Sequence, residues 1–528
     1  MRYLLHDVFL DSVKKNPNNI AIYFEGGREI SYSDLNKLSN RFANITSSFK
    51  SDTRKQPFVG ILSAVNINSI AAILGTLKIG CSYIPLDEYS PTERLMSIVN
   101  NTELDIIFMD PFWFDKHKEL VRSVKKIIFL DETDIVADGI IGFEKILENE
   151  STEPVLLNQV SDDLAYILHS SGSTGVPKGI MLTHRNARTF VDWMQKEFKL
   201  TPSDVVMSRA PFKFDLSVFD IFNTFNVGAK LVCYDWNKER EDSLKHSDYV
   251  KLMQEQKASI LYTTPSTFIT LLNRGGLADA KLNLREIMYA GEPFPTAQLR
   301  KLQQALPKTR IANIYGPTET NIITYFWIDK IPENDSSVPL GYVVDDTEIL
   351  VVSEDGERIC EVDELGELWC RGGTVTLGYL GMEDKTRDSL VDSPFHKFPV
   401  KFWRTGDFGY RDKDGILFYR GRRDHMVKVK GYRIELGEIE SALAKNDNLD
   451  EFCVVALPDE IYGSRLYCYY SVLKNRLISP VELKSFLLTK IPEYMVPFSF
   501  EMKDVLPKTS SGKVDRVLLL EDARSHKK

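Results

Sequence analysis

Short apolar runs typical of buried strands alternate with helix-like runs along the first part of this 528-residue chain. Three strand-like runs cover residues 58–62, 258–262 and 286–290, and a helix-like pattern follows each of them. A helix between two strands carries the chain back across the face of a sheet, so this order predicts parallel sheets packed in α/β layers. The length of the chain predicts more than one domain, the first of them with a large core.

The pattern changes twice after these layers. Between residues 338 and 414, short strands separated by Gly and Asp turns predict a small β-rich subdomain. Beyond the segment 421–424, the pattern predicts a small α+β domain. Its expected elements are helices over 434–445 and 480–490 and strands over 451–457 and 466–473. We therefore predict an α/β fold with a large N-terminal domain over 1–422 and a small, mobile C-terminal domain over 423–528.

Composition excludes several classes of protein. The formal net charge of −9 at pH 7 argues against a general nucleic-acid binder. The six cysteines are scattered without a CxxC pair, as in reduced thiols of a cytoplasmic protein. No uninterrupted apolar run approaches the roughly 18 residues of a membrane span, and the N-terminus has no signal-peptide cleavage pattern. We expect a cytoplasmic protein that binds neither membrane nor nucleic acid.

A glycine-rich loop with the sequence SSGSTGVPKG, residues 170–179, follows the strand-like run 164–169. Its glycines allow a tight turn and a close approach to a ligand, and the N–H groups of such turns bind anions. Thr174 and the neighbouring serines add hydroxyl donors, and Lys178 adds a positive charge. The loop fits neither the Walker nor the Rossmann pattern. A triphosphate cradle is the functional interpretation, and a flexible Ser/Gly linker is the alternative.

The segment NIYGPTE, residues 313–319, offers four polar groups after a short strand. Tyr315 is a flat ring for a base, Asn313 an amide, Thr318 a hydroxyl and Glu319 a carboxylate. A carboxylate near a triphosphate usually holds Mg²⁺, which takes few protein oxygens together with phosphate oxygens. A Gly-Pro turn with a helix cap explains the same residues equally well.

Three further segments are weak signals when taken singly. The segment 403–407 ends in a Gly-Asp turn whose Asp407 could accept hydrogen bonds from ribose hydroxyls. The cation-rich segment 421–435 is compatible with a solvated edge strand, an RNA patch or a hinge between domains. Lys513 lies on a glycine turn near the C-terminus.

The order of these segments resembles the adenylate-forming superfamily, specifically the amino-acid adenylation domains of nonribosomal peptide synthesis. The resemblance covers nearly the whole chain. The matching segments are 30–35, 77–87, 170–179, 214–217, 313–319, 366–368, 404–407, 421–440, 491–497 and 512–516.

The resemblance implies a two-step ligase that uses ATP and Mg²⁺. In the first step an amino acid becomes an aminoacyl-adenylate, and in the second its acyl group passes to the pantetheine thiol of a carrier protein. Glu319 would bind Mg²⁺, and Lys513 would neutralise charge between the substrate carboxylate and the α-phosphate. Asp424 matches the hinge of the mobile domain. The implied nucleotide contacts are Thr174, Lys178, Asn313, Tyr315, Thr318, Asp407 and Arg422.

The resemblance also implies an amino-acid pocket. Asp215 matches the carboxylate that binds the α-ammonium group, and acyl-CoA and aryl-acid relatives generally lack it. The other implied pocket positions are Leu216, Phe219, Thr263, Met288, Ala290, Ile314, Ile322 and Ile323. These residues are almost all apolar, so a polar substrate side chain would lose its hydrogen-bond partners there. We expect a small or medium apolar amino acid.

Two subfamilies fit this pocket. Segments 290–296 and 316–322 resemble the stand-alone prolyl–carrier-protein ligases, and we favour L-proline. Segment 214–218 suggests the D-alanyl carrier protein ligases, although those enzymes usually have a cysteine where this chain has Ala290. A difference of one or two methylenes changes the binding free energy by only about 1–3 kcal/mol, so the composition of the pocket does not decide between the two subfamilies.

The expected partner is a separate carrier protein with a phosphopantetheine arm, because no carrier segment follows Arg516 in the sequence. We expect the enzyme itself to be a monomer. An acyl- or aryl-CoA synthetase is an alternative, against which Asp215 argues. A non-catalytic binding protein with the same fold is another alternative. The residues that argue against it are Lys178, Glu319, Asp407 and Lys513.

Overall fold

The computed structural model describes residues 3–49, 57–149, 151–155, 157–170, 176–237, 242–332, 338–422, 426–473, 476–508 and 514–525. It divides into two compact units. The first unit comprises Met1–Glu88, Val99–His169 and Gly179–Gly421. The second comprises Tyr89–Ile98, Ser170–Lys178 and Arg422–Lys528.

The strands are β1 (Ile20–Phe24), β2 (Arg28–Ser31), β3 (Phe58–Leu62), β4 (Ser82–Pro85), β5 (Ile106–Met109), β6 (Lys126–Phe129), β7 (Ile140–Ile141), β8 (Leu164–Ser170), β9 (Lys178–Thr183), β10 (Val205–Met207), β11 (Lys230–Cys233), β12 (Ile260–Thr263), β13 (Glu286–Tyr289), β14 (Arg310–Tyr315), β15 (Thr324–Trp327), β16 (Tyr342–Val343), β17 (Thr347–Val352), β18 (Gly366–Gly372), β19 (Leu390–Asp392), β20 (Lys401–Arg411), β21 (Leu417–Arg422), β22 (Met426–Val429), β23 (Tyr432–Glu435), β24 (Leu449–Asp459), β25 (Gly463–Val472) and β26 (Ser499–Met502).

The α-helices are α1 (Asp7–Lys15), α2 (Tyr32–Ser47), α3 (Ile67–Lys78), α4 (Thr92–Thr102), α5 (Lys118–Ser123), α6 (Phe143–Asn149), α7 (His184–Phe198), α8 (Leu216–Val218), α9 (Thr224–Val227), α10 (Asp242–Glu255), α11 (Pro265–Arg274), α12 (Thr296–Ala305), α13 (Glu383–Ser389), α14 (Leu436–Leu443), α15 (Pro480–Leu488) and α16 (Arg516–Ser525). A π-helical turn, Phe219–Asn223, joins α8 to α9. Short 3-10 turns cover Pro111–Trp113 and Glu493–Met495.

Two large sheets form the layers of the first unit. The nine-stranded sheet has the order β16-β15-β14-β13-β12-β10-β11-β1-β2, with parallel pairing from β14 through β12, β10 and β11 to β1. The seven-stranded sheet has the order β7-β6-β5-β3-β4-β8-β9 and is parallel from β7 to β8. Side chains of both sheets, among them Ile61, Tyr166, Tyr262 and Ile314, share one hydrophobic cluster. The predicted α/β layers are confirmed.

A five-stranded sheet forms the predicted β-rich subdomain of the first unit. Its order is β17-β18-β20-β19, with β21 paired to β20. The pairings of β17 with β18, of β18 with β20 and of β19 with β20 are antiparallel. Such pairing needs only short connections, which agrees with the Gly- and Asp-rich sequence of this region.

The second unit has the α+β architecture that its sequence predicts. Strands β24, β25 and β26 form a three-stranded sheet, and β22 pairs with β23. Helix α15 begins at a capping box, in which Ser479 and Glu482 satisfy each other's backbone N–H groups and Pro480 occupies the first turn.

None of the helices in the described ranges combines the length and the apolar character needed to cross a membrane. All six cysteines are free thiols, and all but Cys360 are buried.

Candidate active site

Strand β14 and strand β20 bring a phenol and a carboxylate together. The Tyr315 hydroxyl donates a hydrogen bond of 2.6 Å to Oδ2 of Asp407, and both side chains are buried. Asn313 is also buried, and its Nδ2 donates to the Pro339 carbonyl at 2.7 Å. Asn313 and Tyr315 are two residues apart on β14, so their side chains leave the same face of the sheet.

A β-bulge sets the position of Asp407. Strands β18 and β20 pair on both sides of Leu368, but Thr405, Gly406 and Asp407 all lie opposite this one residue. Gly406 has φ 72°, a conformation that glycine adopts without strain. The Thr405 hydroxyl accepts the Asp407 N–H at 3.0 Å and donates to the Leu368 carbonyl at 2.7 Å. The sequence predicts a Gly-Asp turn here, and the structure has a bulge inside a long strand, which redirects a side chain without ending the pairing.

A second phenol–carboxylate pair lies in the loop after β14. Glu319 is 1% exposed, and its Oε1 accepts a hydrogen bond of 2.8 Å from the Tyr379 hydroxyl. The loop is very tight, because a Cβ on Gly316 would lie 1.8 Å from the Asn321 carbonyl oxygen. Thr318 is partly buried in the same loop, and its carbonyl accepts the Asn321 N–H. We call Tyr315–Asp407 and Tyr379–Glu319 the phenol–carboxylate pairs.

Thr376 connects the Glu319 loop to the strand that follows the glycine-rich loop. Its N–H donates to the Glu319 carbonyl at 2.8 Å. Its hydroxyl donates at 2.6 Å to the carbonyl of Met181 on β9. The sequence carries no motif that predicts this role for Thr376 or the role of Tyr379, because both depend on chain segments distant in sequence.

In the second unit, Lys178 forms an ion pair with Glu435. Both side chains are largely buried, 6% and 14% exposed. Arg422 is partly buried at the end of β21. The predicted residues Thr174, Asp424 and Lys513 lie outside the described residues. The structure thus gives Lys178 a carboxylate partner that the sequence does not predict.

Asp215 lies close to two buried tyrosines. Burial is the main reason that the pKa values of Tyr166 on β8 and Tyr262 on β12 are raised well above their ordinary value, and the negative charge of Asp215 raises both further. The ring of Phe219 meets that of Tyr262 edge-on at 5.4 Å between centroids. The three elements that carry Asp215, Tyr166 and Tyr262 therefore converge on one place.

Six of the apolar side chains predicted to line the amino-acid pocket belong to the large core that also contains Tyr166 and Tyr262. These residues are Leu216, Phe219, Met288, Ala290, Ile314 and Ile322. Thr263 is buried next to Tyr262 at the end of β12. We call Asp215, Thr263, the two tyrosines and these six residues the Asp215 cluster.

Ile323 departs from this set. Its side chain packs in a different cluster, with Tyr315, Leu340 and Leu368. The structure therefore places Ile323 on the side of the phenol–carboxylate pairs.

The helix that carries Phe219 is interrupted by the π-helical turn Phe219–Asn223. A π turn changes the direction of the side chains that follow it and is frequent at functional sites. The sequence has no feature that predicts this turn, because its composition suits an ordinary α-helix.

The donors for a metal ion are few. Within the part of the chain that the structure describes, no group of three or more His, Cys, Asp or Glu side chains could hold a metal. A single buried carboxylate such as Glu319 still fits Mg²⁺, which keeps several waters and takes its other ligands from phosphate oxygens.

Comparison with known proteins gives matches over nearly the whole chain. The family model of the AMP-binding enzyme matches residues 9–380, and that of the AMP-binding enzyme C-terminal domain matches residues 438–513. The L-proline--[L-prolyl-carrier protein] ligase of Pseudomonas fluorescens is 32% identical over 518 residues, covering 98% of each chain. Bacitracin synthase 1 of Bacillus licheniformis is 32% identical over 525 residues, but the chain spans only 9% of that protein's length.

The fold also matches solved structures. The amide bond synthetase McbA from Marinactinospora thermotolerans superposes with a TM-score of 0.86 at 19% identity, covering 98% of this chain and 99% of that one. At this identity the likeness concerns the fold alone. The matches of both family models, over most of the chain, show that it belongs to the AMP-binding enzymes, the adenylate-forming ligase family that its motifs predict.

Proposed function

We propose that this enzyme activates a small apolar amino acid with ATP and loads it onto the phosphopantetheine thiol of a separate carrier protein. The observation that carries the proposal is the position of Asp215, whose charge acts on the buried Tyr166 and Tyr262 beside apolar core side chains. A carboxylate at such a place can accept charge-assisted hydrogen bonds from the ammonium group of an amino acid. The similarity to a carrier-protein ligase along 98% of both chains supports the second half-reaction.

In the first half-reaction, a carboxylate oxygen of the amino acid attacks the α-phosphorus of ATP. The bond from this phosphorus to the bridging oxygen breaks, and pyrophosphate leaves with the electron pair. Glu319 would hold Mg²⁺, which offsets negative charge on the phosphates when bound. Lys513 would neutralise the two anions that must meet, the substrate carboxylate and the α-phosphate.

In the second half-reaction, the carrier thiol loses its proton and its sulfur attacks the acyl carbon of the adenylate. The bond from this carbon to the phosphate oxygen breaks, so that a thioester forms and AMP leaves. We assign the nucleotide contacts and Lys513 to two domains, 1–422 and 423–528, with the hinge at Asp424. Such a division allows the smaller domain to act differently in the two half-reactions.

The phenol–carboxylate pairs support the assignment of the nucleotide contacts. Asp407 would accept hydrogen bonds from the ribose hydroxyls, and the Tyr315 hydroxyl holds its carboxylate in place. Asn313 and the Tyr315 ring would contact adenine, with Thr318 beside them. Thr174 and Lys178 would serve the phosphates, and Arg422 the ribose.

We propose L-proline as the amino acid. The apolar residues of the Asp215 cluster provide no partner for a polar side chain, and the prolyl ligase relative favours a compact apolar ring. Ile323 lines the pocket only if its backbone, and not its side chain, meets the substrate.

The test is ATP–pyrophosphate exchange with purified protein, Mg²⁺ and a panel of acids. The panel contains L-proline, D- and L-alanine, L-valine and benzoate. We expect the fastest exchange with L-proline. Faster exchange with D-alanine would change the assigned substrate and leave the proposed reaction in place. Exchange with benzoate alone would indicate an aryl-activating enzyme. No exchange with any acid would overturn the proposed function.

A further inference from the structure

The loop that leads to Asp215 is fixed at its start by a buried carboxylate. This loop, residues 208–214, joins β10 to the helix that begins after Asp215. Oδ2 of Asp220 accepts the backbone N–H groups of Arg209 at 3.1 Å and Ala210 at 3.4 Å. Asp220 is completely buried and belongs to the π-helical turn. The carboxyl group therefore ties the beginning of the loop to the helix that the loop enters.

The same loop is fixed at its end by a buried ion pair. Nζ of Lys213 lies 2.7 Å from Oδ2 of Asp87, and the two side chains are only 15% and 10% exposed. Asp87 follows β4 of the seven-stranded sheet, whereas the loop follows β10 of the nine-stranded sheet. The pair thus links the two sheets immediately before Asp215.

The side chain of Asp215 does not cap the helix that follows it. The loop before Asp215 and the helix after it set the position of its backbone. Asp220 acts on both, because it lies in the helix and binds the loop. Lys213 acts two residues before Asp215 and connects the loop to a second sheet.

We propose that Asp220 and the Lys213–Asp87 pair are positioning residues for recognition of the substrate ammonium group. The inference rests on the proposed function of Asp215. Neither Asp220 nor the Lys213–Asp87 pair needs to touch the substrate, since each acts by holding the loop that leads to the ammonium-binding carboxylate. Neither is adjacent in sequence to the phenol–carboxylate pairs, so each should affect the amino acid more than ATP.

Burial raises the pKa of Asp220 to about 8, although the two N–H groups and the charge of Arg209 oppose this shift. Asp220 is therefore largely protonated at pH 7, and asparagine resembles it in shape and in its accepting oxygen. Asp220→Asn is consequently a matched control for Asp220→Ala, which removes the acceptor. For the ion pair, Lys213→Arg keeps the charge and Lys213→Met keeps most of the side-chain length without it.

The experiment measures KM for the preferred amino acid and KM for ATP in the pyrophosphate exchange assay. We expect Lys213→Met and Asp220→Ala to raise KM for the amino acid about tenfold, with KM for ATP changed less than about twofold, as when uniform substrate binding is lost. Lys213→Arg and Asp220→Asn should recover most of the amino-acid affinity. Asp87→Asn provides a second way to break the ion pair should Lys213→Met fail to fold.

The outcomes distinguish failure of the proposed function from failure of the positioning role. No exchange by the wild-type protein with any amino acid would overturn the proposed function and this inference with it. An active wild-type protein whose variants change both KM values in parallel, or neither, would overturn the inference alone, since that is the behaviour of an ordinary structural contact.

Discussion

The phenol–carboxylate pairs and the Asp215 cluster hold their acidic groups in different ways. Asp407 and Glu319 each accept a hydrogen bond from a fixed tyrosine, within a β-bulge and a tight glycine loop. Asp215 instead lies close to two buried tyrosines, at the end of a loop that Asp220 and Asp87 hold. Under the proposed function, the first arrangement prepares polar groups for ATP, which is the same in every cycle of the enzyme. The second places the carboxylate that would bind the ammonium group of the amino acid.

The largest expected effect comes from Asp215→Ala. The bound amino acid would cover the partly buried Asp215. Removing one partner of a buried charge pair costs about 3–5 kcal/mol, which predicts a loss of roughly two to four orders of magnitude in kcat/KM for the amino acid. ATP binding, measured by equilibrium dialysis, should stay within about twofold, because only the Asp215 cluster changes. Unchanged exchange rates would show that Asp215 does not bind the ammonium group.

Gly316→Ala should destabilise the loop that carries Glu319. The added Cβ would meet the Asn321 carbonyl oxygen, so the loop must shift or open. We expect a loss of about 1–3 kcal/mol in the free energy of unfolding by urea, together with a higher Mg²⁺ requirement. Gly381→Ala is the control, because a Cβ there meets nothing within 4 Å and only the backbone conformation at φ 64° is strained. Equal losses in the two variants would contradict the close approach at Gly316.

Tyr379→Phe and Tyr315→Phe test the phenol–carboxylate pairs separately. Loss of a group that orients a metal ligand typically weakens metal affinity about 10–100-fold, so Tyr379→Phe should raise the Mg²⁺ concentration for half-maximal exchange by about that factor. Tyr315→Phe should raise KM for ATP and leave the Mg²⁺ requirement nearly unchanged. If Glu319 did not hold the metal, the two variants would show the same Mg²⁺ requirement.

The smallest effect on activity, and a measurable one on stability, is expected for Asp220→Asn. The folded-state pKa of Asp220 is about 8, raised from an ordinary 3.8 by burial. The folded protein therefore retains a proton that the unfolded chain loses above about pH 4, so wild-type stability falls as the pH rises from about 4 to 8. The asparagine at position 220 does not titrate. The free energy of unfolding of the variant, relative to that of the wild type, should therefore increase by about 1 kcal/mol per pH unit in this range.

Urea unfolding of both proteins near pH 5 and near pH 8 measures the difference. A stability difference that is independent of pH would show that Asp220 is already ionised in the folded protein at pH 5.

The sequence predicts regular elements best where periodicity is strong. The predicted strand over 58–62 is β3, and the predicted helix over 480–490 begins with α15 at the same residue. The predicted strand over 258–262 is shifted, since β12 covers Ile260–Thr263. Local patterns thus locate an element and leave its ends to the pairing of neighbouring strands.

Site residues that lie in short motifs can be predicted from the sequence, whereas residues whose contacts are distant in the chain cannot. Motif order singles out Asp407, Glu319 and Asp215 as candidates, because each stands in a recognisable short segment. It does not identify Tyr379, whose bond to Glu319 spans 60 residues, or Asp220, whose role depends on its burial. The bulge at Asp407 and the π-helical turn also escape prediction, because both arise from register and helix packing and not from composition.

The apolar side chains of the Asp215 cluster come from separate places in the chain: β13 and the residue that follows it, β14, the helix after Asp215 and the loop before β15. Each place contributes one or two side chains, and none of those side chains belongs to the phenol–carboxylate pairs. Under the proposed function, a mutation in one of these places would change the substrate preference without touching the groups assigned to ATP. Such a protein would acquire new substrates gradually, without an inactive intermediate, and a designer could follow the same route.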